Sequence, residues 1–286
     1  MRPNELFLRQ PKAFWACVRT LSQGIGYTAR GTGQIKVPAP ADMRKCFLKL
    51  GLNADHIVSQ QGKLTELGDI LHRYFEYRAD VLNNHVRGQL MNLAQAKAAY
   101  DQLVAQYNPT CPVPMNKQKG DKKAPAFLTG MVNIMVEAHA GELPCNYDPR
   151  ELTTVTHGGV PLRTLARRVD GAFPSVVNPI AVWEIKEYYY TTTFGSRVAD
   201  GVYETLLDGM ELEELREHEG IDVRHYLIAD AYRTWWDDGR SYLCRMVDML
   251  HMGYVDEILF GREVITEMPR IVAEWAELER RRNAQG

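Results

Sequence analysis

Lysine all but disappears from the second half of this 286-residue chain. Residues 126–286 hold one, Lys186, against fifteen arginines and 27 acidic residues. Cysteine is scarce as well: Cys17, Cys46, Cys111, Cys145 and Cys244 are scattered, with no C-x-x-C pair, which argues against a zinc ribbon or a dithiol redox motif. Reduced thiols in a cytosolic protein are the expectation. No apolar run near the start approaches a signal h-region or a membrane span, which predicts a soluble, cytoplasmic chain. The glycine-rich stretch GIGYTARGTGQIKVP contains no G-K-[ST], so it is not a phosphate-binding P-loop and reads as a loop or short hairpin. There is no internal repeat and no long low-complexity segment.

What is present is a divided charge. Residues 1–125 carry 18 Lys+Arg against 9 Asp+Glu, a balance of +9; the remainder carries 16 against 27, or −11, giving the net −2 of the whole. A basic first half suits a polyanionic partner, and an acidic second half holds carboxylates for another purpose. Solvated surface charge accounts for part of the split.

The first segment is helical in pattern: PKAFWACVRTLSQ, PADMRKCFLKLGL, and a long run from Thr65 to Tyr107 in which Leu67, Ile70, Leu71, Tyr74 and Phe75 recur at helical spacing. CPVPMNKQKGDKKAP combines prolines with four lysines and marks a linker or loop. Beyond it, strands and helices alternate, which argues an α/β domain with a mixed sheet. The expected organisation is therefore a mainly helical domain over 1–110, a basic linker over 111–124, and an α/β domain over 125–286.

The chemistry concentrates around Lys186. In an extended IAVWEIKEYYYTT, Glu184 and Lys186 project to one side, about 6–7 Å apart along the strand, while Trp183 and Ile185 point the other way. A carboxylate and an ammonium so arranged can bind a divalent metal and steer a water beside it. Asp170 is the candidate second carboxylate: it ends the strand-like LRTLARRV, and GAFPSVVNP would turn the chain back into the next strand. The same residues also read as a surface Glu-x-Lys pair and an ordinary turn aspartate.

Asp170 followed by Glu184-Ile185-Lys186 on the next strand resembles the signature of the PD-(D/E)XK nuclease superfamily, to which most type II restriction endonucleases belong. The resemblance covers about residues 125–262, and Val169 stands where that signature has proline. It implies a restriction-endonuclease-like sheet flanked by helices, with Mg²⁺ held by Asp170, Glu184 and the backbone carbonyl of Ile185. Lys186 would position the attacking water and stabilise the transition state. Glu137 sits where members of the superfamily often carry a helix glutamate near the metal. Arg197, at the start of a following helix, is a candidate phosphate contact, and Val198, Val202, Leu206 and Met210 would pack that helix on the sheet behind a Ser196 cap. Glu187 faces away from Lys186 and takes no role; His139 and His157 lack ligand-spaced partners and read as structural.

Upstream, GKLTELGDILHRYF resembles the segment of winged-helix domains where a wing strand ends and the last helix begins, with Thr65 as N-cap and Lys63 near the wing. PADMRKCFLKLGL would then be the recognition helix, presenting Arg44, Lys45 and Lys49 to a groove. A helical bundle with a solvated basic face fits the same pattern. Lys117, Lys119, Lys122 and Lys123 add phosphate contacts. The first expectation is thus a Mg²⁺-dependent, sequence-specific endonuclease of double-stranded DNA, of the type II restriction kind and acting as a homodimer. The others are a winged-helix regulator with a non-catalytic α/β half, and a nuclease of repair, recombination or a mobile element.

Overall fold

The computed structural model describes residues 1–29, 31–116, 124–191 and 194–285. The expected phosphate contacts Lys117, Lys119, Lys122 and Lys123 lie outside the described residues, as does the side chain of Arg197.

The protein is a mixed α/β chain: a helical N-terminal region, then a mixed four-stranded sheet with flanking helices. Helices α1 (Glu5–Leu8), α2 (Lys12–Ile25), α3 (Pro40–Lys49) and α4 (Glu66–Asp80) build the first core. Phe14, Trp15, Val18 and Leu21 line one face of α2 at helical spacing and meet Met43, Phe47, Leu71, Tyr74 and Phe75. Burying an aromatic or leucine of this kind contributes roughly 1.5–3 kcal/mol relative to exposure. Thr65 caps α4 by accepting from Gly68 N at 3.0 Å, and a short antiparallel bridge joins Val58 to Leu64 just before it.

The long helical run after Thr65 is not one helix. α4 passes into a π-helical turn (Val81–Val86) and a single further turn, α5 (Arg87–Gln89), and the chain is extended at Leu90. The buried Asp230 holds this break by accepting from Met91 N at 2.7 Å, while Tyr232 N donates to Met91 O. Asn92 and Gln95 then form a capping box on α6 (Leu93–Tyr107). Ala96 and Leu103 of α6 join the core of the sheet, against α7 (Phe127–Ala140). Leu82, Val86 and Leu90, from the end of this run, pack into the core over the sheet with Leu227 and Phe260.

Strands β1 (Thr154–His157) and β2 (Val160–Thr164) form a separate hairpin. The main sheet comprises β3 (Gly171–Phe173), β4 (Ala181–Glu187), β5 (Arg224–Asp230) and β6 (Glu257–Phe260) in that spatial order. β3 is antiparallel to β4, and the other pairs are parallel. The parallel connections run through α8 (Ser196–Glu219) and α9 (Arg240–His251), and α10 (Glu263–Gln285) closes the chain. α7 and α10 cover the face carrying Trp183, Tyr226 and Ile228, where Trp183 stacks on Trp275 at 5.4 Å. α8 and α9 cover the opposite face, over Leu227 and Ala229.

α8 lies close to the sheet because it is notched by glycine. A Cβ at Gly201 would stand 2.9 Å from Tyr188 Oη and 3.2 Å from Lys186 Cδ, and one at Gly209 would collide with the backbone oxygen of Tyr254. Val198, Val202, Thr205, Asp208, Leu212 and Leu215 face inward, whereas Met210, expected there, is half exposed. A strict four-residue spacing gains about 40° per step on a helix of 100° per residue, so Met210 has rotated away from Val198 by about 120°. Gly195, not Ser196, occupies the N-cap position.

Candidate active site

Asp170 immediately precedes β3, and Gly171–Phe173 is itself the strand, rather than part of the turn. Gly171 is required next to it, because a Cβ there would overlap the Trp183 indole. Asp170 N donates to Trp183 O at 3.1 Å, and Ile185 N donates to Asp170 Oδ2 at 2.7 Å. The carboxylate thus takes over the pairing of β4 where β3 ends. N–H and C=O of one strand residue point to the same edge, so the Ile185 carbonyl faces the side occupied by Asp170.

Glu184 and Lys186 both point to the α8 face, as their spacing predicts, and both are buried. Lys186 Nζ donates to Glu184 Oε2 at 2.7 Å and lies 3.6 Å from Glu204 Oε2 of α8. The pair is joined by residues that sequence spacing did not single out. Arg167 Nη1 sits 2.9 Å from Glu184 Oε1 and 2.6 Å from Asp208 Oδ2, while Nη2 lies 3.4 Å from Glu204 Oε2. The available signal for Asp208 was its place on the apolar stripe of α8, where an aspartate has no reason to be unless it is partnered.

Burial shapes the titration of this group. Burial and the Glu184 charge push the Asp170 carboxyl up to about 6, against the pull of Lys186. Burial and Glu184 likewise push Asp208 up to about 7 despite Arg167. Burial alone would raise Glu184 too, but Lys186 and Arg167 outweigh it and hold that carboxylate below its ordinary range. Lys186 is correspondingly raised: its carboxylate neighbours overcome the cost of burying the ammonium.

Two of the remaining expected residues serve other ends. Glu137 does not join the site: α7 covers the Trp183 face, opposite to Glu184, and the Glu137 carboxylate accepts from Thr110 N at 2.9 Å and from Thr110 Oγ1. Glu187, also on that face, accepts from Thr129 N and Oγ1 at 3.1 Å and so caps the first turn of α7. In the N-terminal region Arg44 is partly exposed and engaged by its neighbours: its Nη1 donates to Asp55 Oδ1 at 2.6 Å and to Val58 O at 2.5 Å. Arg44, Lys45 and Lys49 of α3 line a groove of about 590 Å³ with Gln60 and Gly62; Lys45 and Lys49 are exposed, as is Lys63.

The donor chemistry fits a hard divalent cation in part. Asp170, Glu184 and the Ile185 carbonyl are oxygen donors converging from two strands, as magnesium prefers. Among the described residues, however, no three His, Cys, Asp or Glu side chains already stand close enough to hold a metal ion. Arg167 and Lys186 neutralise Glu184 instead. No curated protein and no solved structure matches the chain. Residues 1–85 match the family model described as Domain of unknown function (DUF7690). Residues 91–275, more than half of the chain and all four strands of the sheet, match the model described as Domain of unknown function (DUF7687), and it is to this family that the protein belongs.

Proposed function

We propose that the chain is a Mg²⁺-dependent endonuclease of double-stranded DNA, of the restriction-endonuclease kind. The observation that carries the reading is the junction of Asp170 and Glu184-Ile185-Lys186: two carboxylates and a buried ammonium, one carboxylate just ahead of β3 and the rest on its antiparallel neighbour β4, tied by the bond from Ile185 N to Asp170. Asp170, Glu184 and the Ile185 carbonyl would hold the metal, which when bound lowers the pKa of a water and offsets charge on the scissile phosphate. Lys186, with protons beyond the one given to Glu184, orients that water and faces the charge that develops on the phosphoryl oxygens. Lys45, Lys49 and Lys63 supply sequence-independent phosphate contacts from a winged-helix-like region. Cutting both strands of a palindrome makes a homodimer the simplest assembly.

The test is cleavage of a fully sequenced supercoiled plasmid with Mg²⁺ and with EDTA, using Asp170→Asn and Glu184→Gln as controls. Mg²⁺-dependent linear products lost in both variants support the reading; products that persist in them rule out this site. A second reading has its own observation: Glu184 is already neutralised by two cations, which suits a winged-helix DNA-binding regulator whose α/β half does no chemistry. Salt-sensitive DNA binding with no cleavage on any substrate favours it. Fixed-position cuts distinguish a restriction enzyme from a nuclease of repair, recombination or a mobile element.

A further inference from the structure

Glu184 and Asp208 are both fully buried, and one guanidinium lies between them. Their hydrogen bonding is incomplete. Among the described residues Asp208 Oδ1 has no partner, and Glu184 Oε1 meets Arg167 at 2.9 Å without the geometry of a directed hydrogen bond. A third acceptor lies on the same face of the sheet. His225 pairs in register with Val182 on the same face as Glu184, and its Nδ1 is taken by Tyr254 O. Its buried Nε2 therefore carries the lone pair, again without a partner. When ionised, Asp170, Glu184, Glu204 and Asp208 set four negative charges against the two positive charges of Arg167 and Lys186. One divalent cation would balance that −2.

Arg167 is suited to leave. It belongs to the irregular segment between β2 and β3, where the buried Leu165 and Val169 fix the backbone on either side. Its own side chain is 24 % exposed, and Glu204, which its Nη2 meets at 3.4 Å, is itself 47 % exposed, so the guanidinium sits at the rim rather than in the core. We infer that Asp208 is a further ligand of the cation site formed with Glu184, and that Arg167 is the cation held in the metal's place, displaced when a divalent ion binds. This rests on the metal-dependent reading above and adds a residue from α8 to it. In that reading the released guanidinium, still tethered at the rim, meets the phosphate.

The test is calorimetric titration of the full chain with Mn²⁺, for the unmodified protein, Arg167→Gln and Asp208→Asn, with circular dichroism as the check on folding. Arg167→Gln should bind about tenfold more tightly or better, the effect of about 1.4 kcal/mol of removed competition. Asp208→Asn should bind about tenfold more weakly. Unchanged or weaker binding by a folded Arg167→Gln overturns the exchange, and unchanged binding by Asp208→Asn removes Asp208 from the site. A measurement on the unmodified chain guards against a variant that fails to fold. The Arg167 side-chain NMR signals, restricted in rotation without metal, should average when Mg²⁺ is added; signals that stay fixed while calorimetry reports binding refute the proposal. Exchange without DNA cleavage would remove the nuclease reading alone, and cleavage by a chain whose Arg167 never moves would remove this inference alone.

Discussion

Arg78 Nη1 donates to both carboxylate oxygens of Asp248, at 2.9 and 3.0 Å, across 170 residues of sequence. The pair is buried between α4 and α9, where Tyr74 Oη adds a bond to Asp248 Oδ1 at 2.6 Å and Ser22 Oγ accepts from Arg78. It joins the helical region to the sheet in the middle of a packed interface. Removing one partner leaves the other charged and dry, at a cost of about 3–5 kcal/mol. Asp248→Ala and Arg78→Ala should each lower stability by that amount in urea unfolding, while the double replacement Arg78→Met with Asp248→Leu should recover most of it. The same pair predicts that a fragment of residues 1–85 alone is poorly folded, since it carries Arg78 without Asp248; a cooperative unfolding transition for that fragment would contradict the prediction.

Glu184 is a poor residue to truncate. Glu184→Ala leaves Lys186 and Arg167 without their shared partner in a buried site and should itself cost about 3–5 kcal/mol. Glu184→Gln keeps the shape and one acceptor oxygen. Thermal unfolding should separate the two, with the glutamine variant much closer to the unmodified protein and equally inactive.

Lys186→Ala should lower the single-turnover cleavage rate by about 10²-fold or more, the scale of one preorganised donor at a developing charge. Lys186→Arg should not restore it. The side chain runs beneath Gly201 with no room to spare, and a forked guanidinium needs space that a compact ammonium does not. An arginine variant with full activity would show that Lys186 stays clear of the reacting phosphate.

The titration of Asp208 has a sign that can be measured. Its folded value of about 7 lies above the roughly 3.9 of an unfolded aspartate, so the folded chain binds more protons between those values. Stability due to this group is complete below about pH 4 and is lost as pH rises through about 7. Buried His225 and His251 are shifted the opposite way and counter part of the trend. Comparison with Asp208→Asn cancels their contribution. In EDTA the variant's advantage in unfolding free energy should grow between about pH 4 and 7, by the order of 4 kcal/mol, and then level off. A constant difference across that range would mean that Asp208 is ionised throughout.

Much of the sheet's central chemistry was legible because strand geometry is local. Two-residue alternation fixes the face of Glu184 and Lys186 whatever packs above them, and the same rule sends Glu187 to the other face, where it meets α7. What escaped depends on three-dimensional return. Arg167 and Asp208 are 41 residues apart, and nothing local marks either as the other's partner. Arg44 lines the groove beside α3, but its hold on Asp55 and Val58 depends on a return of the chain that its charge alone does not reveal. The helical run from Thr65 was legible as pattern but not as one element, because the interruption at Leu90 and Met91 is held by an aspartate 139 residues further on.

The closeness of α8 to the sheet has a consequence for how this protein can change over generations. The seat of that helix is set at Gly201, against Lys186 of β4, and at Gly209, against Tyr254 ahead of β6, two positions that carry no charge and touch no substrate in the proposed chemistry. A single added methyl group at either one would lift Glu204 and Asp208 relative to Glu184 and Lys186 while leaving all four intact. Under the proposed function, substitutions drifting through these glycines would therefore alter the preferred ion, or silence the centre altogether, in a sequence whose signature residues still read as complete.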